Sequence, residues 1–145
     1  MRQFVPALLM HTLVPALLIG QQAASPARTP VTGRYDVQWG NGAGCVLKVQ
    51  QLSDSLIRFQ LDCSRGAPAY NTGRASDTLR LVEREAVYST SEWGERCEIR
   101  FRFSTNAVVV AQTGSDGACG FGNGVYSGGR YRLMSREAPA FDDSP

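Results

Sequence analysis

Cys97-Glu98-Ile99-Arg100-Phe101-Arg102-Phe103-Ser104-Thr105-Asn106-Ala107-Val108-Val109-Val110-Ala111-Gln112 decides the fold. Its first seven residues alternate strictly: Cys97, Ile99, Phe101 and Phe103 on one side, Glu98, Arg100 and Arg102 on the other. Period two with charges on one face marks a half-buried β-strand. Ser104 to Asn106 supply a turn, and the chain returns through Ala107 to Gln112. The unbroken valines 108 to 110 read as a strand buried on both faces or central in a sheet, where alternation is not required.

The same period runs outward from this hairpin. Upstream, Gly33, Tyr35, Val37 and Trp39 alternate with Arg34, Asp36 and Gln38 and stop at the glycine cluster Gly40 to Gly44. Cys45, Leu47 and Val49 then face Ile57, Phe59, Leu61 and Cys63 across a turn at Ser53 and Asp54. Residues 67 to 77 are rich in turn formers and lead to a short strand carrying Leu79 and Leu81, followed by another at Ala86 to Thr90. Downstream, a glycine-rich loop from Gly114 to Gly129 precedes a last strand at Arg130 to Met134. The expected fold is therefore a single all-β domain over residues 31–134, with about eight strands joined in sequence order. A small antiparallel meander barrel is favoured because closure removes exposed edges, and Trp39, Phe59, Phe101 and Phe103 can fill its interior. A β-sandwich fits the same pattern.

Cysteine usage bears on compartment. Cys45, Cys63, Cys97 and Cys119 form an even set at wide spacing, which suits two disulfides in an oxidising environment. In a hairpin centred near Ser53, Cys45 and Cys63 fall opposite one another on one face, and Cys97 with Cys119 follows by elimination. Metal binding is disfavoured, since no close cysteine pair exists and the only histidine, His11, lies in the N-terminal leader.

That leader is Arg2 followed by an apolar run from Phe4 to Ile19 and small residues to Ala27, the pattern of a secretory signal peptide spanning about residues 1–25. The run is interrupted by Pro6, His11 and Pro15 and is shorter than the ~20 residues of a membrane span. A periplasmic or secreted protein without a membrane span is expected. Cleavage leaves about 120 residues, the size of one domain. The tail, 135–145, has no apolar period and is expected to be disordered.

The inventory of side chains argues against catalysis. Without histidine the usual general base is missing, and four oxidised cysteines leave no thiolate nucleophile. Lys48, the only lysine, sits among polar neighbours in a strand; the carboxylates Asp62, Glu83, Glu85, Glu92, Glu95 and Glu98 leave a carboxylate-pair glycosidase open, but most read as solvated strand or turn residues. Gly40 to Gly44 and Gly120 to Gly124 are not phosphate loops, because neither opens a helix or carries the required lysine. Nucleic-acid binding through Arg58, Arg100, Arg102, Arg130 and Arg132 ranks low, because the net charge of +2 falls to about +1 without Arg2. No cofactor and no metal is expected.

One short motif points to a partner. Ser127-Gly128-Gly129-Arg130-Tyr131 fits S-G-x-x-Y and resembles the recognition loop of bacterial periplasmic lysozyme inhibitors, which are small exported β-proteins. The resemblance implies that Ser127 and Tyr131, with Gly128 and Arg130 assisting, sit on a loop that enters a lysozyme cleft. Hydroxyl and guanidinium donors there would engage the cleft's paired carboxyl groups through charge-assisted hydrogen bonds. The expected function is an exported, non-catalytic binding protein, with inhibition of lysozyme-type glycoside hydrolases as its specific form. The alternatives are a barrel binding a small apolar ligand and a structural envelope domain.

Overall fold

The computed structural model describes residues 28–142. The leader read at 1–25 lies outside the described residues, as do the last three residues of the tail.

Among the described residues, eight strands form one antiparallel sheet: β1 Gly33–Gly40, β2 Ala43–Ser53, β3 Leu56–Ser64, β4 Thr72–Arg80, β5 Glu85–Thr90, β6 Cys97–Phe103, β7 Ala107–Thr113 and β8 Gly129–Ser135. Their order is β4-β3-β2-β1-β8-β7-β6-β5. The meander closes by pairing its first strand with its last, so β1 has β2 on one side and β8 on the other. β4 and β5 approach one another at the seam without a ladder, and the barrel is nearly closed. A single 3₁₀ turn at Gly117–Cys119 interrupts the loop between β7 and β8.

Alternation sends Leu47, Val49, Ile57, Phe59, Leu61, Ile99, Phe101 and Val108 inward, each fully buried. Phe59 and Phe101 meet with ring centroids 4.9 Å apart, and Tyr88 of β5 packs edge-on against Phe59 across the seam. Such tilted pairs add to the burial of apolar area. Cys45 lies opposite Cys63 in the β2–β3 ladder and is bonded to it, while Cys97 is bonded to Cys119 at the end of the 3₁₀ turn. Closing loops with sequence separations of 18 and 22 stabilises the fold by roughly 3 kcal/mol each on the chain-entropy estimate.

Four expectations change. β4 begins at Thr72, inside the stretch read as turns, because its inward positions are the small Gly73 and Ala75 rather than large apolar residues. Phe121 fills the space over Gly73. β7 is not buried on both faces: Val108 and Val110 point inward, but Val109 is 43% exposed between Arg102 and Arg130. Trp39 does not fill the interior, because it lies past the last core layer and remains 49% exposed. The tail is docked as far as Asp142. The Asp142 amide donates to Gln60 Oε1 at 3.0 Å, Gln60 Nε2 donates back to the Asp142 carboxylate at 3.1 Å, and the Arg58 guanidinium lies 4.3 Å over the Phe141 ring. With the Asp62 carboxylate, which accepts from Gln60 Nε2 at 2.7 Å, these contacts satisfy the outward but buried Gln60.

Because every connection joins antiparallel neighbours, the loops sort by end. The short connections 54–55, 81–84 and 104–106 lie at one end, and the turn at 41–42 with the loops 65–71, 91–96 and 114–128 lies at the other. The second end is called the mouth below.

Candidate binding surface at the barrel mouth

Interloop hydrogen bonds hold the mouth. Ala67 N donates to the Asn41 carbonyl, Gly122 N to the Thr72 carbonyl, and both Asn71 Nδ2 and Arg65 Nη1 to the Asn123 carbonyl. The Asp116 carboxylate accepts from the amides of Gly117 and Gly124 and so pins both halves of the 114–128 loop. Those two backbone donors, Gly124 first, hold its carboxyl below the usual carboxylate range.

The S-G-x-x-Y residues are divided between inside and outside. Ser127 is 0% exposed: its amide and hydroxyl both donate to Gln112 Oε1, at 2.9 and 2.7 Å. Tyr131 is also 0% exposed, and its Oη donates to the Ser127 carbonyl at 2.6 Å. Burial pushes the Tyr131 phenol far above its ordinary pKa. Neither hydroxyl faces a partner, which corrects their expected place on a protruding loop. The reason is local. A tyrosine reaching back four residues satisfies the buried carbonyl at the strand entry, and it does so from inside the barrel.

The same device occurs at the opposite end. Tyr35 Oη donates to the Val31 carbonyl at 2.8 Å, and the Val31 amide donates to Gln51 Oε1 at 3.0 Å, as Ser127 does to Gln112. Gly33 and Gly129, two residues before each tyrosine, share a φ of 155°. Val31-Thr32-Gly33-Arg34-Tyr35 and Ser127-Gly128-Gly129-Arg130-Tyr131 are thus two copies of one strand-entry corner, on the adjacent antiparallel strands β1 and β8.

Gly128 and Arg130 do reach the surface, on different sides. Arg130 projects from the outer face of β8 into a shallow cleft with Asp36, Gln38, Arg132 and Met134. Gly128 lines a cleft of about 260 Å³ at the mouth, together with Trp39, Ala43, Ser64, Arg65 and Tyr126. Trp39 and Tyr126, 49% and 55% exposed, are its aromatic walls. Both are backed by glycine. A β-carbon added to Gly128 would fall 2.5 Å from the Tyr126 ring, and one added to Gly129 would fall 3.3 Å from the Trp39 ring. Sequence reading missed these two residues. The available signal was their position, since each aromatic stands within two residues of a glycine at a strand end.

A larger groove of about 590 Å³ adjoins the mouth on the outer face of β1 to β4 and shares Ala43 and Ser64 with the mouth cleft. Gly44 and Val46 lie on its floor, with Arg34 and Asp36 to one side and Asp62 and Arg74 to the other. Arg34 donates to both oxygens of Asp36, at 2.9 and 2.8 Å, and Arg74 Nε donates to Asp62. Bonding to these carboxylates raises the pKa of both arginines. Asp142 joins Lys48 and Arg74 at the groove's edge.

All four cysteines are in disulfides, and among the described residues no cluster of three or more histidines, cysteines or carboxylates could hold a metal. No helix among the described residues is long and apolar enough to cross a membrane. Comparison with protein-family models, curated proteins and solved structures returned no match.

Proposed function

We propose that the protein is an exported, non-catalytic binding protein whose contact surface is the mouth of the barrel. The observation that carries this reading is the pair Trp39 and Tyr126. Large aromatic surface is left in water, with both rings standing over glycines beside a cleft, so a partner would bury apolar area there. Two disulfides and the leader sequence support export. The interior of the barrel is filled by core side chains, which disfavours an apolar ligand held inside.

Inhibition of a lysozyme-type glycoside hydrolase is the form of this reading that the S-G-x-x-Y resemblance suggests. In that form Tyr126, Trp39 and the Gly128 backbone would meet the enzyme, with Ser127 and Tyr131 setting the shape of the loop from within. A lysozyme lysis assay tests it. Excess protein should slow lysis, Tyr126→Ala should relieve inhibition roughly tenfold, and Ser127→Ala should relieve it only as far as it loosens the loop. Lysis unchanged at excess protein would dismiss the lysozyme form. Inhibition untouched by Tyr126→Ala would dismiss the mouth as its surface.

A further inference from the structure

We propose that the mouth and the outer groove together take a neutral oligosaccharide chain. One sugar would lie in the cleft between Trp39 and Tyr126, and the chain would continue past Ala43 and Ser64 into the groove over Gly44 and Val46. The inference rests on the mouth being the contact surface and names its ligand class.

A pyranose has an apolar face of C–H groups and an equatorial rim of hydroxyls that each donate and accept. The apolar face matches an exposed aromatic ring, which is what Trp39 and Tyr126 offer. The rim matches planar donors and acceptors placed side by side, and the groove presents two such sets, Arg34 with Asp36 and Asp62 with Arg74. Since these sets lie on opposite sides of β2, hydroxyls along both edges of a chain would find partners. The floor between them is low because Gly44 has no side chain and Val46 is short.

Charge argues for a neutral chain. In the groove each guanidinium is matched by a carboxylate, and at its edge Asp142 is matched by Lys48 beside Arg74, so neither sign is in excess. A polyanion would have to displace these pairings. The groove's size also falls in the range of roughly 300 to 1,000 Å³ typical of ligand sites, while its open form suits a chain better than a compact apolar molecule.

Trp39 and Trp93 are the only tryptophans, so Trp93→Phe makes Trp39 the sole reporter in the processed exported protein. Its emission would be titrated with β-1,4-linked hexamers of N-acetylglucosamine and of glucose, and with dextran sulfate as a polyanion. A saturable shift with a neutral hexamer is expected. It should weaken about tenfold or more in Tyr126→Ala and in Val46→Tyr, which fills the floor, and stay unchanged in Arg80→Gln, which is remote. Thermal unfolding of each variant checks that it is folded. No shift with either hexamer at millimolar concentration overturns the saccharide inference, as does preference for dextran sulfate or a titration indifferent to both Tyr126→Ala and Val46→Tyr. If the hexamers fail while lysozyme is retained by the protein and lost in Trp39→Ala, the saccharide falls and the contact surface stands. If neither binds, both fall.

Discussion

Tyr131 and Tyr126 stand five residues apart on one loop and strand, and their hydroxyls have opposite fates. Tyr131 closes a hydrogen bond inside the barrel, whereas Tyr126 lies on the rim over Gly128. Tyr131→Phe should therefore cost about 1–2 kcal/mol in urea unfolding, because it strands the Ser127 carbonyl, and Tyr35→Phe should cost a similar amount at Val31. Both phenols are raised by burial. A raised folded pKa favours the protonated form in the fold, so this contribution is complete below the unfolded pKa of about 10 and is lost as pH rises beyond it. Alkaline unfolding monitored by tyrosinate absorbance should show that loss, and Tyr131→Phe should flatten it. Asp116 has the opposite sign. Its lowered pKa means that its contribution is present above about pH 4 and lost as pH falls. The protection factor of the Gly124 amide, its exchange rate relative to an unstructured amide at the same pH, should fall in acid, and Asp116→Asn should lower it already at neutral pH. The inward role of Ser127 and Tyr131 was legible in principle, because Gly-Arg-Tyr recurs at 33–35 and 129–131. A motif read as recognition in one place is packing in both.

At the scale of elements, alternation located most strands, and its failures have one cause: it registers large apolar side chains only. The inward Gly73 and Ala75 hid the start of β4, and an outward Val109 made β7 look buried on two faces. The two valines of β7 should respond differently to mutation. Val110→Ala should destabilise by about 1–2 kcal/mol in urea unfolding, while Val109→Thr should change stability by less than about 0.5 kcal/mol. The tail carried no periodic signal because its anchors are isolated: Phe141 against Arg58 and Asp142 against Gln60. Such contacts depend on what the β2 and β3 outer face presents, which no local pattern in residues 135–145 records. Asp142→Ala should cost less than about 1 kcal/mol in urea unfolding, because Gln60 Nε2 loses one acceptor but keeps Asp62.

For the whole molecule, the ladder between first and last strands ties the chain into a barrel, and the seam between β4 and β5 is its weakest line. Hydrogen exchange should be fastest among strand amides there, and slowest in β2 and β3, which are paired on both sides and stapled by Cys45–Cys63. The fold gathers its long loops at one end, where Trp39, Tyr70, Trp93 and Tyr126 are all exposed, and two of these, Trp39 and Tyr126, wall one cleft, which no single stretch of sequence displays: they are brought together by β1 and β8 pairing. That mouth is the central claim, and the most direct measurement compares two tyrosine variants in one pair of assays. Tyr126→Ala and Tyr131→Phe would each be assayed for unfolding in urea and for binding of lysozyme and of the N-acetylglucosamine hexamer. A mouth that binds predicts that Tyr126→Ala loses binding with its unfolding midpoint unchanged, while Tyr131→Phe lowers the midpoint and keeps binding under conditions where it is folded. Loss of binding in a fully folded Tyr131→Phe, with Tyr126→Ala still binding, would contradict it.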